Sequence, residues 1–506
     1  MSASQAPNSY WGKYKWIAAL AVIGIFILGL GLRLYDLTDP PLDSAYRQLH
    51  AAIIARGMYY QMLPGADPAL RQAAIELWHY EDVFEPPIFE RIVAITYLAA
   101  GGEHLWIPRL FAILFWMVGG VALFLLSRKL TSLEGSIVAL AFYMVLPFGV
   151  LLSRRFQPDP FMVMWIMLAA LALYNWHEKR DLKSAVWVGL VCAVAVVIKV
   201  FAVFIIAPMA IAMVLISGKL KQSLRNIHIW VMAGIMIAIP AVIYFVLRPD
   251  TQGYLSFWST SFIGMLIQPS FYVRWLELLN TLFGGLVVII ALAGVLVAKP
   301  KARALLVCMW MGYLLFGLFE PWQISTHDYY SLVLVPILAL SLAPIAAAFF
   351  ERLSQQAGIW KFLFVGVALL SLAIPSWNVR LDLVKSDSRI NWMAWTNLGK
   401  SIPKDGNMIA LTDDYGTFVE YFGWRTVKLW PTTQDLSLVA ARGGNTEPNF
   451  ELNFTQQTQD MKYFLVTAVY DLNNQPALKD YLYSHYTFTE GDGYILFDLH
   501  SLPPAP

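Results

Sequence analysis

Long apolar runs recur between residues 16 and 377, and short polar or charged segments separate them. A helix that crosses a bilayer needs about 20 apolar residues, within a range of about 17–25. Eleven runs approach or reach this length, and the pattern therefore predicts an all-α polytopic membrane protein with about eleven transmembrane helices. The runs lie at residues 16–34, 106–126, 134–152, 160–175, 184–198, 200–217, 229–247, 281–298, 303–319, 329–349 and 361–377.

Positive charge is distributed unevenly among the polar segments. Lys and Arg concentrate in the cytoplasmic loops of membrane proteins. With eleven spans, all six basic segments lie on one side, which predicts a cytoplasmic N-terminus in the inner (plasma) membrane and a periplasmic or extracellular C-terminal region. The segments are Lys13/Lys15, Arg128/Lys129, Lys179/Arg180/Lys183, Lys219/Lys221/Arg225, Lys299/Lys301/Arg303 and Arg352/Lys361.

The stretch 184–217 tests this arrangement, because it carries a single charge, Lys199, near its middle. Both of its flanks are basic and are therefore predicted to be cytoplasmic. The stretch must then cross the membrane twice, which places Lys199 at the outer turn of a helical hairpin.

The polar character of the chain changes after residue 377. Residues 407–414, 426–430, 462–470 and 493–499 have strand-like patterns, and residues 390–402 and 475–486 have helical ones. The predicted domains are a transmembrane domain at 1–377, whose outer loop 35–105 carries interfacial helices, and a small extracytoplasmic α/β domain at 378–506.

Composition agrees with a membrane protein, since 58% of residues are hydrophobic and only 14% are charged. The net charge of +2 gives no indication of nucleic-acid binding. Cys192 and Cys308 both lie in apolar runs, so no disulfide framework is expected. The first apolar run lacks a small-residue cleavage site and is interpreted as a retained span.

Unusual polar residues gather in the predicted outer segments. Acids, histidines and basic residues that come from separate loops to one membrane face are typical of a functional site. The acids and histidines are Asp43, His79, Glu81, Asp82, Glu85, Asp159, His327 and Asp328.

Four segments resemble a known family. They are EPPIFERIVAITYLAAGGEHLWIPRLFAILF (85–115), LSRRFQPDPFMVMWIMLAALALYNW (152–176), GLVCAVAVVIKVFAVFIIAPMAIAM (189–213) and STHDYYSLVLVPILALSLA (325–343). In this order they resemble the lipid-dependent glycosyltransferases of the GT-C fold. The resemblance is closest to the superfamily of protein O-mannosyltransferases (glycosyltransferase family 39 type) and ArnT-like lipid A aminoarabinose transferases.

The resemblance implies an activity. Members transfer a sugar from a polyprenyl-phosphate donor to a lipid, glycan or protein acceptor on the outer face, and no nucleotide or other cofactor is required. It also implies that Asp43, in the first outer loop, is the catalytic base. Ser44 departs from the acidic residue that many members have at this position. Asp43 also precedes a helical pattern and fits the position of an N-cap.

Transfer also needs positive charge to stabilise the departing phosphate. Arg154, Arg155 and Lys199 are the candidates, because guanidinium and ammonium groups bind phosphate. The alternatives are anchoring to lipid headgroups for the arginines and snorkelling for Lys199. Asp159 is a second candidate catalytic residue that orients the acceptor or an arginine, or else it caps the following span.

The remaining candidates concern phosphate and metal. Tyr329 is expected to hydrogen-bond the phosphate or to belong to the interfacial aromatic belt. Glu85, His79 and His327 combine carboxylate and imidazole groups that suit a divalent metal or the acceptor.

Two other functions fit a polytopic chain. A lipid-linked sugar transporter would show internal repeats and charged, broken helices at mid-membrane, whereas the charges here gather at one face. A polymerase or ligase that uses diphosphate-linked glycans would place its large loop between later spans, whereas here the large polar parts are residues 35–105 and the C-terminal tail.

Overall fold

The computed structural model describes residues 15–40, 46–82, 84–216, 223–248, 251–385, 388–389, 391–445 and 449–501. The described parts are mainly helical. In chain order, the α-helices are α1 Lys15–Leu34, α2 Tyr46–Met62, α3 Pro68–Tyr80, α4 Ile88–Ala100, α5 Trp106–Leu130, α6 Leu133–Val145, α7 Pro147–Leu152, α8 Pro158–Lys179, α9 Leu182–Ile198, α10 Ala202–Leu215, α11 Ile227–Ala241, α12 Thr251–Thr260, α13 Pro269–Phe283, α14 Gly285–Val297, α15 Pro300–Phe319, α16 Pro321–Thr326, α17 Leu334–Ser354, α18 Gly358–Lys385, α19 Asn391–Ser401, α20 Thr417–Tyr421, α21 Thr433–Ala441, α22 Phe450–Thr458, α23 Val469–Asn473 and α24 Pro476–His485.

Seven helices in the described residues are long and apolar enough to cross a membrane, and the pair α13 and α14 adds an eighth if it is one span. That pair bends by 92° at Gly284, whose φ of +80° is accessible to glycine. The three other predicted runs correspond to the shorter apolar helices α6, α9 and α10. The prediction of a polytopic helical protein is confirmed, and the described residues of the eleven apolar runs are mainly helical.

The chain divides into two compact units. The first, called the membrane unit, comprises Met1–Leu37, Val83–Pro86 and Pro108–Lys385; the second, called the sheet unit, comprises Thr38–Asp82, Pro87–Ile107 and Ser386–Pro506. This division differs from the predicted boundary at 377/378, because most of the first outer loop groups with the C-terminal region. Helix α2 is buried from Arg47 to Tyr59, so it is a core helix of the sheet unit.

The sheet unit contains five strands: β1 Met408–Leu411, β2 Lys428–Leu429, β3 Tyr463–Val466, β4 Thr487–Gly491 and β5 Tyr494–Asp498. Their order is β2-β1-β3-β5-β4, with β1 parallel to β2 and β3, and β5 antiparallel to both β3 and β4. Strands β1 and β3 are buried throughout, since helices cover both faces of the parallel part. The predicted C-terminal α/β domain is confirmed, and β4 is an additional edge strand.

An arginine connects the three chain segments of the sheet unit. Arg56 of α2 donates hydrogen bonds to both carboxylate oxygens of Glu103 at 3.0–3.2 Å. Its guanidinium lies 3.8 Å from the ring centroid of Tyr421 and 4.3 Å from that of Trp424. A flat, delocalised cation suits this combination of carboxylate pairing and aromatic stacking.

The membrane unit has its own buried arginine, Arg33, near the end of α1. Its Nε donates to Ser153 Oγ at 2.6 Å, and Nη1 donates to the carbonyl oxygens of Gly29 at 2.9 Å and Met144 at 2.8 Å. The guanidinium also lies 5.6 Å from the ring centroid of Trp116. A buried charge is tolerated when hydrogen bonds satisfy it, and these bonds fasten α1 to the region of α6 and α7.

Two buried carboxyl groups lie together in the sheet unit. The carboxyl groups of Glu81 and Glu420 interact with each other, and Glu81 also hydrogen-bonds the ring of His50. Burial raises the pKa of both carboxyl groups, and the neighbouring Glu81 raises that of Glu420 further. Glu420 therefore holds its proton where an exposed carboxyl has lost it.

This pair predicts a pH dependence of stability. Above the usual carboxyl pKa of 4.5, the folded state binds more protons than the unfolded state, so the free energy of unfolding falls as pH rises toward the raised values. We expect the unfolding temperature of the full chain in detergent to fall between about pH 5 and about pH 8. Glu420→Gln should weaken this dependence and Glu451→Gln, at an exposed position of the same unit, should not; equal slopes in both variants would contradict the assignment.

Candidate functional site

Lys199 lies where the helix α9 ends and before α10 begins. Its side chain is only 2% exposed, and Nζ donates to Asp159 Oδ1 at 2.9 Å and lies 3.7 Å from Glu85 Oε1. An isolated lysine that is buried near the end of an apolar helix needs such counter-charges. The structure thus brings together three residues that the sequence singled out, and they come from three separate segments of the membrane unit.

Asp159 owes its position to the start of α8. The sequence Pro158-Asp159-Pro160 begins this helix, since proline suits the first helical turn. Asp159 lies within that turn, where the helix dipole favours a carboxylate, and its side chain is 1% exposed. The helix N-cap is Gln157, so Asp159 does not have the capping role that was the alternative to a functional one.

Aromatic rings surround the ammonium group of Lys199. Its Nζ lies 5.4 Å from the ring centroid of Tyr329 and 4.9 Å from that of Tyr330. Both tyrosines belong to the 3₁₀ helix Asp328–Val333. The electron-rich faces of these rings stabilise a cation at this distance. Tyr329 is therefore close to Lys199, and its role in binding phosphate stays a prediction.

The two neighbouring arginines make different contacts. Arg154 is buried, and its guanidinium donates to the carbonyl oxygens of Tyr35 and Asp36, both at 2.6 Å. It thus satisfies backbone groups that follow the C-terminal end of α1. Arg155 Nη1 lies 3.7 Å from Asp328 Oδ2, and its side chain is 16% exposed. Arg155 is therefore the arginine that faces the segment of Tyr329 and Tyr330.

Two residues that the sequence analysis missed lie around the short helix α16. Glu320 precedes Pro321 and is fully buried, and neither of its carboxylate oxygens has a hydrogen-bond partner within the described ranges. Burial raises the pKa of Glu320 to about 8, and the charge of Lys199 lowers it in part. Gln323 is 3% exposed, and its Oε1 likewise has no described partner. The signal in the sequence was a lone acid at the end of an apolar run, followed by proline.

The metal candidates do not form a cluster in the described parts of the chain, where no group of three or more His, Cys, Asp or Glu side chains has metal-binding geometry. His327 Nδ1 is 2.8 Å from Thr326 Oγ1, and Glu85 is directed to Lys199. His79 is exposed on α3, in the sheet unit. Asp43, the predicted base, lies outside the described residues.

The residues around Lys199 can bind an anionic ligand. Lysine has three N–H donors, and Asp159 accepts one of them, so the ammonium group retains capacity for an anionic ligand. The carboxylates of Asp159 and Glu85 hold it in place and prevent the cost of an isolated buried charge. A buried ammonium group, with a second cation, Arg155, facing the same tyrosine segment, suits an anionic group such as a phosphate.

Comparison with known proteins gives one family match and one curated relative. Residues 85–245 match the family model of dolichyl-phosphate-mannose-protein mannosyltransferases. The chain is also 26% identical over 167 residues to the lipid A galacturonosyltransferase RgtD of Rhizobium johnstonii. That similarity covers 33% of this chain and 34% of RgtD, so the chain spans about a third of the curated relative that it matches.

Solved structures extend the comparison to nearly the whole chain. The apo oligosaccharyltransferase of Archaeoglobus fulgidus has a TM-score of 0.61 at 12% identity, over 90% of this chain and 70% of that one. ArnT of Cupriavidus metallidurans has a TM-score of 0.59 at 13% identity in its apo state, over 96% of this chain and 100% of that one. ArnT bound to undecaprenyl phosphate gives 0.55 at 12% identity, over 97% and 99%. The predicted GT-C fold is confirmed.

Proposed function

We propose that this protein of the GT-C fold is an integral-membrane glycosyltransferase that moves a sugar from a polyprenyl-phosphate donor to an acceptor on the outer, periplasmic face. The observation that carries the proposal is the buried ammonium group of Lys199, which Asp159 and Glu85 hold near Tyr329. The acceptor class is a lipid, a glycan or a protein, and no cofactor takes part in the reaction.

The comparisons support this proposal at the same residues. Glu85, Asp159 and Lys199 all lie within the stretch that matches the mannosyltransferase model. One structural neighbour, ArnT, was solved with undecaprenyl phosphate, which is the product expected from such a donor. A lipid phosphate has the negative charge that the cations of the site suit.

The proposed chemistry is a direct displacement at the anomeric carbon. The bond from this carbon to the phosphate oxygen breaks while a bond to the acceptor oxygen or nitrogen forms, and the acceptor proton passes to Asp43. Lys199 and Arg155 stabilise the negative charge that develops on the leaving polyprenyl phosphate. Displacement from the opposite face inverts the configuration of the sugar.

The first experiment measures the release of free polyprenyl phosphate. Purified protein is incubated with a panel of polyprenyl-phosphate sugars and a membrane extract that supplies acceptors. We expect the wild type to release the lipid phosphate from at least one donor. Asp43→Asn should lower the rate at least about 100-fold, because a general base contributes on the order of 10²–10⁴.

The matched control is Glu76→Gln, a carboxyl-to-amide change at an exposed position of α3. It should leave the rate unchanged. A rate that survives Asp43→Asn would move the base to Asp159 or Glu85. Turnover only with diphosphate-linked glycans would favour the polymerase or ligase, and vectorial movement of the lipid-linked sugar without transfer would favour the transporter.

A further inference from the structure

The two carboxylate oxygens of Glu320 and the amide oxygen of Gln323 pose a common physical problem. All three are buried acceptors that have no hydrogen-bond partner in the described part of the chain. A buried polar group that has lost its water and gained no partner is destabilising. Three such atoms within four residues indicate a place where a polar occupant supplies the missing donors.

Local structure fixes where these groups are. Glu320 is the N-cap residue of α16, but its side chain makes no capping hydrogen bond. Trp322, between the two residues, stacks on Phe262 at a centroid distance of 5.3 Å, and Ile324 is fully buried. These apolar contacts hold α16, and thereby the residues at its start, in a defined orientation.

The position of Glu320 near the ammonium group of Lys199 indicates which chemical group binds to the unpartnered oxygens of Glu320 and Gln323. The backbone N–H of Glu320 donates to the Phe316 carbonyl at 3.0 Å, and the Phe316 ring stacks on Tyr330 at a centroid distance of 5.7 Å. Lys199 Nζ lies 4.9 Å from the centroid of the same Tyr330 ring, so Glu320 and Lys199 belong to the same neighbourhood. No group with metal-binding geometry occurs among the described residues. A carboxyl and an amide are the side chains that bind hydroxyl groups, since they accept hydrogen bonds and, when protonated or as NH₂, also donate them.

We propose that Glu320 and Gln323 bind hydroxyl groups of the sugar that is attached to the phosphate bound by Lys199. This inference rests on the proposed function and deepens it. The sugar and the phosphate share one bond, so residues that recognise the sugar must lie near the cation that binds the phosphate. Glu320 and Gln323 thereby determine which sugar the enzyme accepts.

The test compares two lipid probes on the full-length protein. One is undecaprenyl phosphate without a sugar, and the other is undecaprenyl phosphate that carries the sugar found in the release experiment. Glu320→Met and Gln323→Met remove the polar atoms and keep an unbranched side chain. We expect each to bind the sugar-bearing lipid at least about tenfold more weakly, and to bind undecaprenyl phosphate as the wild type does.

A second readout separates recognition from structural support. Because an apolar side chain removes the cost of an unsatisfied acceptor, both variants should unfold at a higher temperature than the wild type in the absence of lipid. The matched control is Glu134→Met at another buried carboxyl of the membrane unit, which does have partners. It should lower the unfolding temperature.

Donors that lack single hydroxyl groups complete the test. In the wild type, removal of one particular sugar hydroxyl should weaken binding of the donor. In Glu320→Met or Gln323→Met, removal of the same hydroxyl should leave the affinity unchanged. Unchanged affinity for the sugar-bearing lipid in both variants would overturn the inference and indicate an ordered water as the occupant. If the wild type bound neither lipid, or if Lys199→Met bound undecaprenyl phosphate normally, the proposed function itself would fail.

Discussion

Lys199→Met is expected to lower the rate of sugar transfer by about 10³-fold and to abolish measurable binding of undecaprenyl phosphate. The ammonium group is the buried cation beside Tyr329 and Tyr330, and preorganised charge at a leaving group contributes on the order of 10²–10³ in rate. A charged partner for a phosphate also strengthens ground-state binding. Transfer is measured as released lipid phosphate, and binding is measured with the sugar-free lipid.

The same substitution should also destabilise the protein by about 3–5 kcal/mol, because it leaves Asp159 buried without its counter-charge. The double variant Lys199→Met with Asp159→Asn separates the two effects. It removes both charges, so it should recover most of the stability and none of the phosphate binding. Recovery of phosphate binding in the double variant would show that Lys199 only supports the fold.

Arg33→Met is expected to destabilise the protein by about 3–5 kcal/mol, as much as Lys199→Met, with no direct effect on the chemical step. The substitution removes the donors to Ser153 and to the carbonyl oxygens of Gly29 and Met144. The Ser153 hydroxyl and the Met144 carbonyl then remain buried with one donor fewer. The loss is measured as a lower unfolding temperature of the purified protein in detergent.

Two further variants serve as controls for the Arg33 prediction. Arg33→Lys keeps the charge but cannot reproduce the guanidinium fork, so its unfolding temperature should lie between those of Arg33→Met and the wild type. Arg128→Met changes an exposed arginine at the end of α5 and should have little effect. An Arg33→Met protein as stable as the wild type would show that the hydrogen bonds of Arg33 contribute no net stability.

Hydrophobic pattern predicted the elements of the membrane unit because a bilayer demands length and apolarity from each helix. The patterns for β1, β3 and β5 were strong for a similar reason, since these strands carry apolar side chains into the core. Strand β4 was missed because its pattern is mostly exposed. The grouping of α2 with the C-terminal sheet was also missed. The hydrophobic pattern of a segment indicates that it is buried but not which distant segment it contacts.

Candidate residues of the site could be found where charge interrupts an apolar run. Lys199 stands out for that reason, and Asp159 and Glu85, which the sequence singled out separately, lie beside it. Pattern alone could not separate Arg154 from Arg155, because the difference lies in whether the carbonyls of Tyr35 and Asp36 are within reach. Glu320 is notable because its buried carboxylate oxygens have no hydrogen-bond partner among the described residues. A sequence pattern does not show which buried groups find a partner.

The division of the sheet unit has a consequence for biosynthesis. Its first pieces end at Ile107, and its last piece begins at Ser386, about 280 residues later. A ribosome that adds about 5–20 residues per second needs roughly 15 to 60 s to cover that distance. During this interval Tyr421 and Trp424 have not yet been synthesised, so Arg56 and the face of α2 that is buried in the folded protein lack these contacts. The nascent segment 38–107 therefore needs protection from aggregation and proteolysis, and a fragment that begins at Ser386 would lack the segment that completes its core.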